Sequence, residues 1–197
     1  MPARRFLADP RRLHLDEDGW LAGARRIESP NCDERPDATA VELIVIHGIS
    51  LPPREFGGGH VERLFTNTLD PAAHPYFCAL AGLRVSAHFL VRRDGDLVQF
   101  VSCLRRAWHA GVSSWRGRSA CNDYSIGIEF EGADDLAYEA AQYHAGAGLI
   151  TVLRASYPIR AIVGHCDIAP GRKTDPGAYF DWSALLQPAE LLSLIHI

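Results

Sequence analysis

The sequence predicts one α/β (α+β) domain, a mixed central β-sheet packed by helices, and three observations predict it. Short apolar runs rich in branched residues alternate unevenly with helical stretches. Two of those runs flank a tight Asp-Gly turn, so an antiparallel hairpin sits among the strands. A length of 197 residues fits one domain with a sizeable core rather than two.

Residues 1–18 read as a flexible N-terminal tail, basic and then acidic. They lack the apolar stretch of about 7–15 residues and the small-residue cleavage site of a secretory signal. The first strand is Val41–Ile46 (VELIVI), a nearly continuous apolar run that ends at His47. His60–Phe65 is a short helical candidate, and Pro75–Ala81 another, with Pro at its first position. Ala87–Val91 (AHFLV) and Leu97–Val101 (LVQFV) are the hairpin strands around Arg92–Asp96. Ser125–Phe130 (SIGIEF) and Ala161–Gly164 (AIVG) supply the remaining strands. Between them, Tyr138–Ser156 is a helix, with Tyr143, Ala147, Ile150 and Leu153 at core spacing and a stop before Pro158. Asp181–Leu186 forms a last short helix, and 57–59 and 111–119 are loops. The domain is set at 19–187. In the tail, 188–197, the final LSLIHI matches one frame of a sequencing adaptor, so it is read as non-native and His196 is given no role.

Composition excludes several classes. A hydrophobic fraction of 47% and a charged fraction of 22% are those of an ordinary soluble domain. No apolar run approaches the roughly 20 residues of a membrane helix. A net charge of −4 calls for neither nucleic acid nor an anionic membrane. The five cysteines are scattered, odd in number and never paired as CxxC, which argues against a disulfide framework or a zinc knuckle. A cytoplasmic protein is expected. Of the 20 basic residues only Lys173 is lysine, at a place where a compact ammonium differs from a guanidinium.

Nine histidines are candidates for chemistry. His14 lies in a tail, and His60, His74 and His144 fit surface or capping roles. His47, in VIHGIS, and His165, in IVGHCDIAPGRKTDPG, stand at strand ends, where a sheet holds side chains rigidly. Asp175 follows His165 by ten positions across a Pro/Gly-containing loop that can return it to the same strand end. Two neutral imidazoles and a carboxylate make a three-ligand zinc site with an open fourth position, although backbone carbonyls satisfy strand-end histidines equally well. His88 is a ligand or a hydrogen-bonded core histidine. Trp108 and His109, in AWHAG, read as a substrate wall. Glu129, between Ile128 and Phe130, is a general base if buried and an ordinary surface charge if not. Lys173, two residues before Asp175, is within reach of an oxygen that turns anionic at such a metal. A Cys166 nucleophile fails, because its neighbour His165 points the other way along an extended segment.

These residues belong to six motifs: HGISLPPREFGGG (47–59), DPAAHPYF (70–77), VSAHFLVRRDG (85–95), RAWHAGVSSWRGR (106–118), CNDYSIGIEFEG (121–132) and GHCDIAPGRKTDPG (164–177). With them the chain resembles the N-acetylmuramyl-L-alanine amidases of the amidase_2, peptidoglycan-recognition-protein-like group, and among these the 1,6-anhydro-muramyl enzymes. The likeness covers about Gly19 to Trp182. It implies that group's mixed-sheet fold and a single Zn2+ ion held by His47, His165 and Asp175. It also implies Glu129 and Lys173 as the catalytic pair, with Trp108, His109 and Arg84 as substrate contacts. The implied reaction is hydrolysis of the amide between the lactyl group of (1,6-anhydro-)N-acetylmuramic acid and L-alanine, by a cytoplasmic monomer acting on small muropeptides. In bacteria with an inducible β-lactamase, the resemblance implies that such an enzyme lowers the muropeptide signal. Two alternatives share the fold: an amidase of intact peptidoglycan and a non-catalytic peptidoglycan-binding protein. The chain departs from the pattern at Gly48, where relatives usually carry Asn, and at Arg118-Ser119-Ala120, where some carry a further basic residue.

Overall fold

Six strands form the central sheet of the computed structural model, which describes residues 13–186. They are β1 (Arg25–Arg26), β2 (Leu43–Ile49), β3 (Phe89–Val91), β4 (Leu97–Gln99), β5 (Ser125–Glu131) and β6 (Ala161–Gly164), in the order β6-β2-β5-β3-β4-β1. Only β3 and β4 pair antiparallel, as the hairpin predicted around Asp94-Gly95; the other neighbours are parallel. Gly95, at φ 87°, supplies the left-handed turn residue. The sheet is therefore mixed. The first strand runs past its expected end, through His47 to Ile49, because Gly48 and Ile49 still pair with Phe130 and Glu131.

Alternation in these strands divides the apolar residues between two faces. Ile44, Ile46, Ile126, Ile128, Phe130 and Ile162 lie under α3 (Ala140–Ser156), packed on its Tyr143, Leu149, Ile150 and Leu153. Burying each of those branched side chains contributes about 1.5–3 kcal/mol relative to leaving it in water. Gly146 lets the helix approach, since a Cβ there would stand 2.6 Å from the Phe130 ring. The helix starts where Gln142 accepts the Glu139 N–H at 3.0 Å and donates to the carbonyls of Val91 and Glu131, both at 3.1 Å. It stops at Ser156, before Pro158.

On the opposite face, α1 (His60–Phe65) and α2 (Pro75–Cys78) cover the hairpin with Val61, Leu64, Phe65 and Phe77. Leu43, Val45, Ala161 and Val163 make a smaller cluster with Ala110, Cys121, Tyr124 and Ile168. Beside that cluster the face turns polar. Two short helices complete the elements used below, α4 (His165–Ile168) directly after β6 and α5 (Trp182–Leu185).

The domain begins before residue 19. Leu13 is buried in the α3-side core, and His14–Leu15 pairs with Leu21–Ala22. That corrects the expected tail over 1–18 for residues 13–18. The suspected non-native residues 192–197 lie outside the described residues. Among the described residues, no helix is long and apolar enough to cross a membrane.

Candidate metal and catalytic centre

Three parallel strands bring the polar residues together. Glu129 on β5 is the direct neighbour of His47 on β2, and Gly164, the last residue of β6, is opposite Ile46. His165 therefore emerges one step on, at the level of His47. Ligand sites in parallel sheets lie at such carboxyl ends. Asp175 returns to them because its backbone carbonyl accepts the Cys166 N–H at 3.0 Å.

The Nδ1 atoms of His47 and His165 are 3.0 Å apart, and Asp175 Oδ2 lies 3.3 Å from the first and 3.1 Å from the second. A tetrahedral ion held at about 2.0–2.1 Å separates its donors by about 3.3 Å, so this triangle already has the size of one face of a zinc site. Burial drives the His47 pKa down to about 4, so that ring is neutral at pH 7. Burial works against the Asp175 charge, but its contacts with His165 and His47 keep the carboxyl well below the usual range. Two imidazoles and an ionised carboxylate aimed at one point are the donor set of a borderline cation such as zinc. His47, His165 and Asp175 thus fit a metal ion.

Glu129 is buried, and its Oε2 has no hydrogen-bond partner among the described residues. Burial raises its pKa well above the ordinary value; the Asp175 charge adds to the rise and Lys173 opposes it. Lys173 is exposed, at the start of the turn to Asp175, and its charge acts on both Glu129 and His47. Gly48 stands beside this group. A Cβ there would come within 2.3 Å of the Tyr138 hydroxyl, which donates to the Pro176 carbonyl at 2.9 Å. Tyr138 thus fills the space that a side chain at position 48 would take.

His109 is buried behind the triangle, with Nδ1 2.9 Å from His47 Nε2. That is a place beneath a ligand, not on a cleft wall. Trp108 is half-buried, and its indole N–H donates to Asp33 at 3.1 Å, where Arg106 also binds. Arg84 is exposed and borders a cavity of about 140 Å³ with Leu64, Phe77 and Leu80; no residue of the triangle lines that cavity. His88 is a core residue: Nδ1 accepts the Gly127 N–H at 3.0 Å, and Nε2 lies 3.1 Å from the Arg105 carbonyl. His74 caps α2 by accepting the Tyr76 N–H. The Cys166 thiol, pushed up to about 11 by burial, is a poor nucleophile at neutral pH.

The buried histidines make the stability of the metal-free protein pH-dependent. Burial lowers His88 to about 3 and His47 to about 4, against about 6.5 in an unfolded chain. Protons therefore bind the unfolded state first. Stability is fully present above about pH 6.5 and is lost as pH falls toward those folded values. Denaturant titrations of the metal-free protein from pH 7 to 5 should show falling stability with more than one proton taken up on unfolding. A flat profile over that range would contradict the neutral, buried state of both rings.

Residues 37–178 match the protein family described as N-acetylmuramoyl-L-alanine amidase. The chain is 57% identical over 180 residues to the 1,6-anhydro-N-acetylmuramyl-L-alanine amidase AmpD of Citrobacter freundii, covering 89% of this chain and 96% of that protein. Among solved structures, a selenomethionine derivative of AmpD matches with a TM-score of 0.85 at 58% identity, over 87% of this chain and 96% of that one. A complex of the Escherichia coli amidase AmiD with anhydro-N-acetylmuramic acid-L-Ala-D-γ-Glu-L-Lys matches at TM-score 0.56 and 28% identity, over 90% of this chain and 65% of that one.

Proposed function

The chain belongs to the N-acetylmuramoyl-L-alanine amidase family, and from that premise we propose how its own residues perform the hydrolysis. It is an amidase of the anhydromuropeptide-recycling type: it cuts the amide between the lactyl group of 1,6-anhydro-N-acetylmuramic acid and L-alanine. His47, His165 and Asp175 are assigned as the ligands of one zinc ion. Bound there, zinc supplies a lowered pKa for water and polarisation of the scissile carbonyl.

The chain's own groups do the rest. Glu129, beside His47 and with a free Oε2, takes the proton from the attacking water and delivers it to the departing L-alanine amine. Burial raises its pKa, which strengthens it as a base toward the proton of the water. Lys173 places a fixed positive charge near the carbonyl oxygen that becomes anionic; one such donor is worth on the order of 3 kcal/mol in the transition state. Trp108 and Arg84 remain assigned to substrate contact on resemblance. Action in the cytoplasm, as a monomer on small muropeptides, belongs to the same reading.

The observation that carries the assignment is the pairing of an orphaned, buried carboxylate with a metal-sized triangle of donors at the carboxyl ends of adjacent parallel strands. The test is mass spectrometry after incubating zinc-loaded protein with anhydromuramyl-tripeptide and, separately, with intact sacculi. Free tripeptide released from the soluble substrate alone is expected. Equal or greater attack on sacculi would make the protein a wall-lytic amidase, and cleavage of neither would leave a binding protein.

A further inference from the structure

A chain of hydrogen bonds runs from the metal-facing His47 ring through His109 to Ser125. The assignment of its protons starts from a group whose role is fixed. A backbone carbonyl only accepts, and the Cys121 carbonyl lies 2.6 Å from Ser125 Oγ, so the single hydroxyl proton of Ser125 points there. Toward His109 Nε2, at 3.2 Å, Ser125 is then an acceptor, and His109 carries its proton on Nε2. Among the described residues no carboxylate accepts from the buried His109 ring, so a charged imidazolium there would be costly. A neutral ring protonated on Nε2 has a bare Nδ1. That Nδ1 accepts from His47 Nε2 at 2.9 Å, which leaves His47 Nδ1 without a proton and facing His165 and Asp175.

The next residue, Ala110, touches the second imidazole. The His165 ring lies between two acceptors, the Asp175 carboxylate 3.1 Å from Nδ1 and the Ala110 carbonyl 3.3 Å from Nε2, so its proton is not assigned by the backbone alone. The His109-Ala110 segment is held firmly. Asn122 Oδ1 accepts the backbone N–H groups of His109 and Ala110 at 3.2 and 2.8 Å, and Arg172 donates to the carbonyls of Ala110 and Val112 at 2.8 and 2.7 Å. Gly127, between Ser125 and Glu129 on one face of β5, gives the ring its space: a Cβ there would stand 2.5 Å from His109 Cγ.

We propose that His109 and Ser125 are positioning residues that fix His47 in the tautomer whose Nδ1 lone pair is free for the metal. The inference rests on the metal-centre reading and adds to it how the ligand atoms are selected. Without the relay, His47 is free to carry its proton on Nδ1, where it blocks the ion. Groups hydrogen-bonded behind metal ligands typically change metal affinity by about 10–100-fold when replaced.

The experiment has two arms. Long-range 15N–1H NMR of the metal-free wild-type protein should show His47 and His109 both protonated on Nε2. Zinc affinity, measured by chelator competition, should fall about 10–100-fold in Ser125→Ala and in His109→Phe. Ser125→Ala should also show His109 and His47 partly protonated on Nδ1, a signal that mere loosening of the fold would not produce. An Nδ1 proton on His47 in the wild type overturns the proposal, and so does unchanged zinc affinity in a folded Ser125→Ala protein. A wild-type chain that binds no zinc overturns this proposal and the metal-centre reading together. Tight wild-type binding with an unaffected variant removes the relay alone.

Discussion

Glu129→Gln is expected to lower kcat by about 10²–10⁴-fold while the protein still binds zinc with its normal stoichiometry. Glutamine keeps the shape of the side chain and removes its ability to take a proton. The substitution leaves the metal triangle alone, because none of the three converging donor atoms belongs to Glu129. It should also be tolerated by the fold. In the wild type the carboxylate is buried with one oxygen unpartnered, an arrangement that an uncharged amide occupies at lower desolvation cost. KM should change little, since the lost interaction is made with a proton in flight and not with bound substrate. Steady-state kinetics beside metal analysis of the purified variant decides it. A variant with near-normal kcat removes Glu129 from proton transfer, and one lacking zinc shows that its role lies in the metal site.

Removing the ion, by chelation or through His165→Ala, should suppress hydrolysis about a thousand-fold or more, because several kcal/mol of carbonyl polarisation and water activation go with it. It should also lower the unfolding temperature. A zinc ion that prefers the folded triangle to the unfolded chain would, at a thousand times its Kd, add about 4 kcal/mol of stability. For a chain of this size that corresponds to about 10 °C. The protein should remain folded without the ion, since the α3-side core of Ile44, Ile46, Ile126, Ile128 and Phe130 contains no ligand. Calorimetry with and without zinc should therefore give two cooperative transitions of similar enthalpy at different temperatures. Identical unfolding temperatures, or full activity after thorough chelation, would count against a catalytic ion at His47, His165 and Asp175. Zinc-dependent stabilisation persisting in His165→Ala would place the ion elsewhere.

Much of this arrangement is legible in the sequence because strands with one buried face carry their own instructions. VELIVI, SIGIEF and AIVG announce the three central strands, and polar residues at or beside their ends mark the working edge. The Pro/Gly-containing loop after His165 marks Asp175 as able to return to that edge. Other features were not legible, for physical reasons. Strand β1 consists of two exposed arginines, Arg25 and Arg26, which have no apolar pattern to betray their pairing with Val98 and Gln99. The position of His109 depends on a vacancy in another strand, at Gly127, and nothing local to AWHAG reports a space eighteen residues away. Short α4 follows β6 without a break, so AIVGHCDI reads as a strand running into a loop. The occupation of the space at Gly48 by Tyr138 likewise emerges only once β2 and the segment before α3 are packed together.

On β5, Ser125, Gly127 and Glu129 alternate with Ile126, Ile128 and Phe130, and β2 does the same with Val45 and His47 against Ile44 and Ile46. Chemistry and cohesion are thus written on odd and even positions of the same text. A single inserted or deleted codon within SIGIEF would exchange the two sets, driving a carboxylate into the oily side and isoleucines into the catalytic one. Such a lesion admits no partial phenotype. Evolution can therefore rewrite the loops that meet the sugar and the peptide freely, but in these strands it is confined to substitution, one letter at a time and always in frame with the pleat.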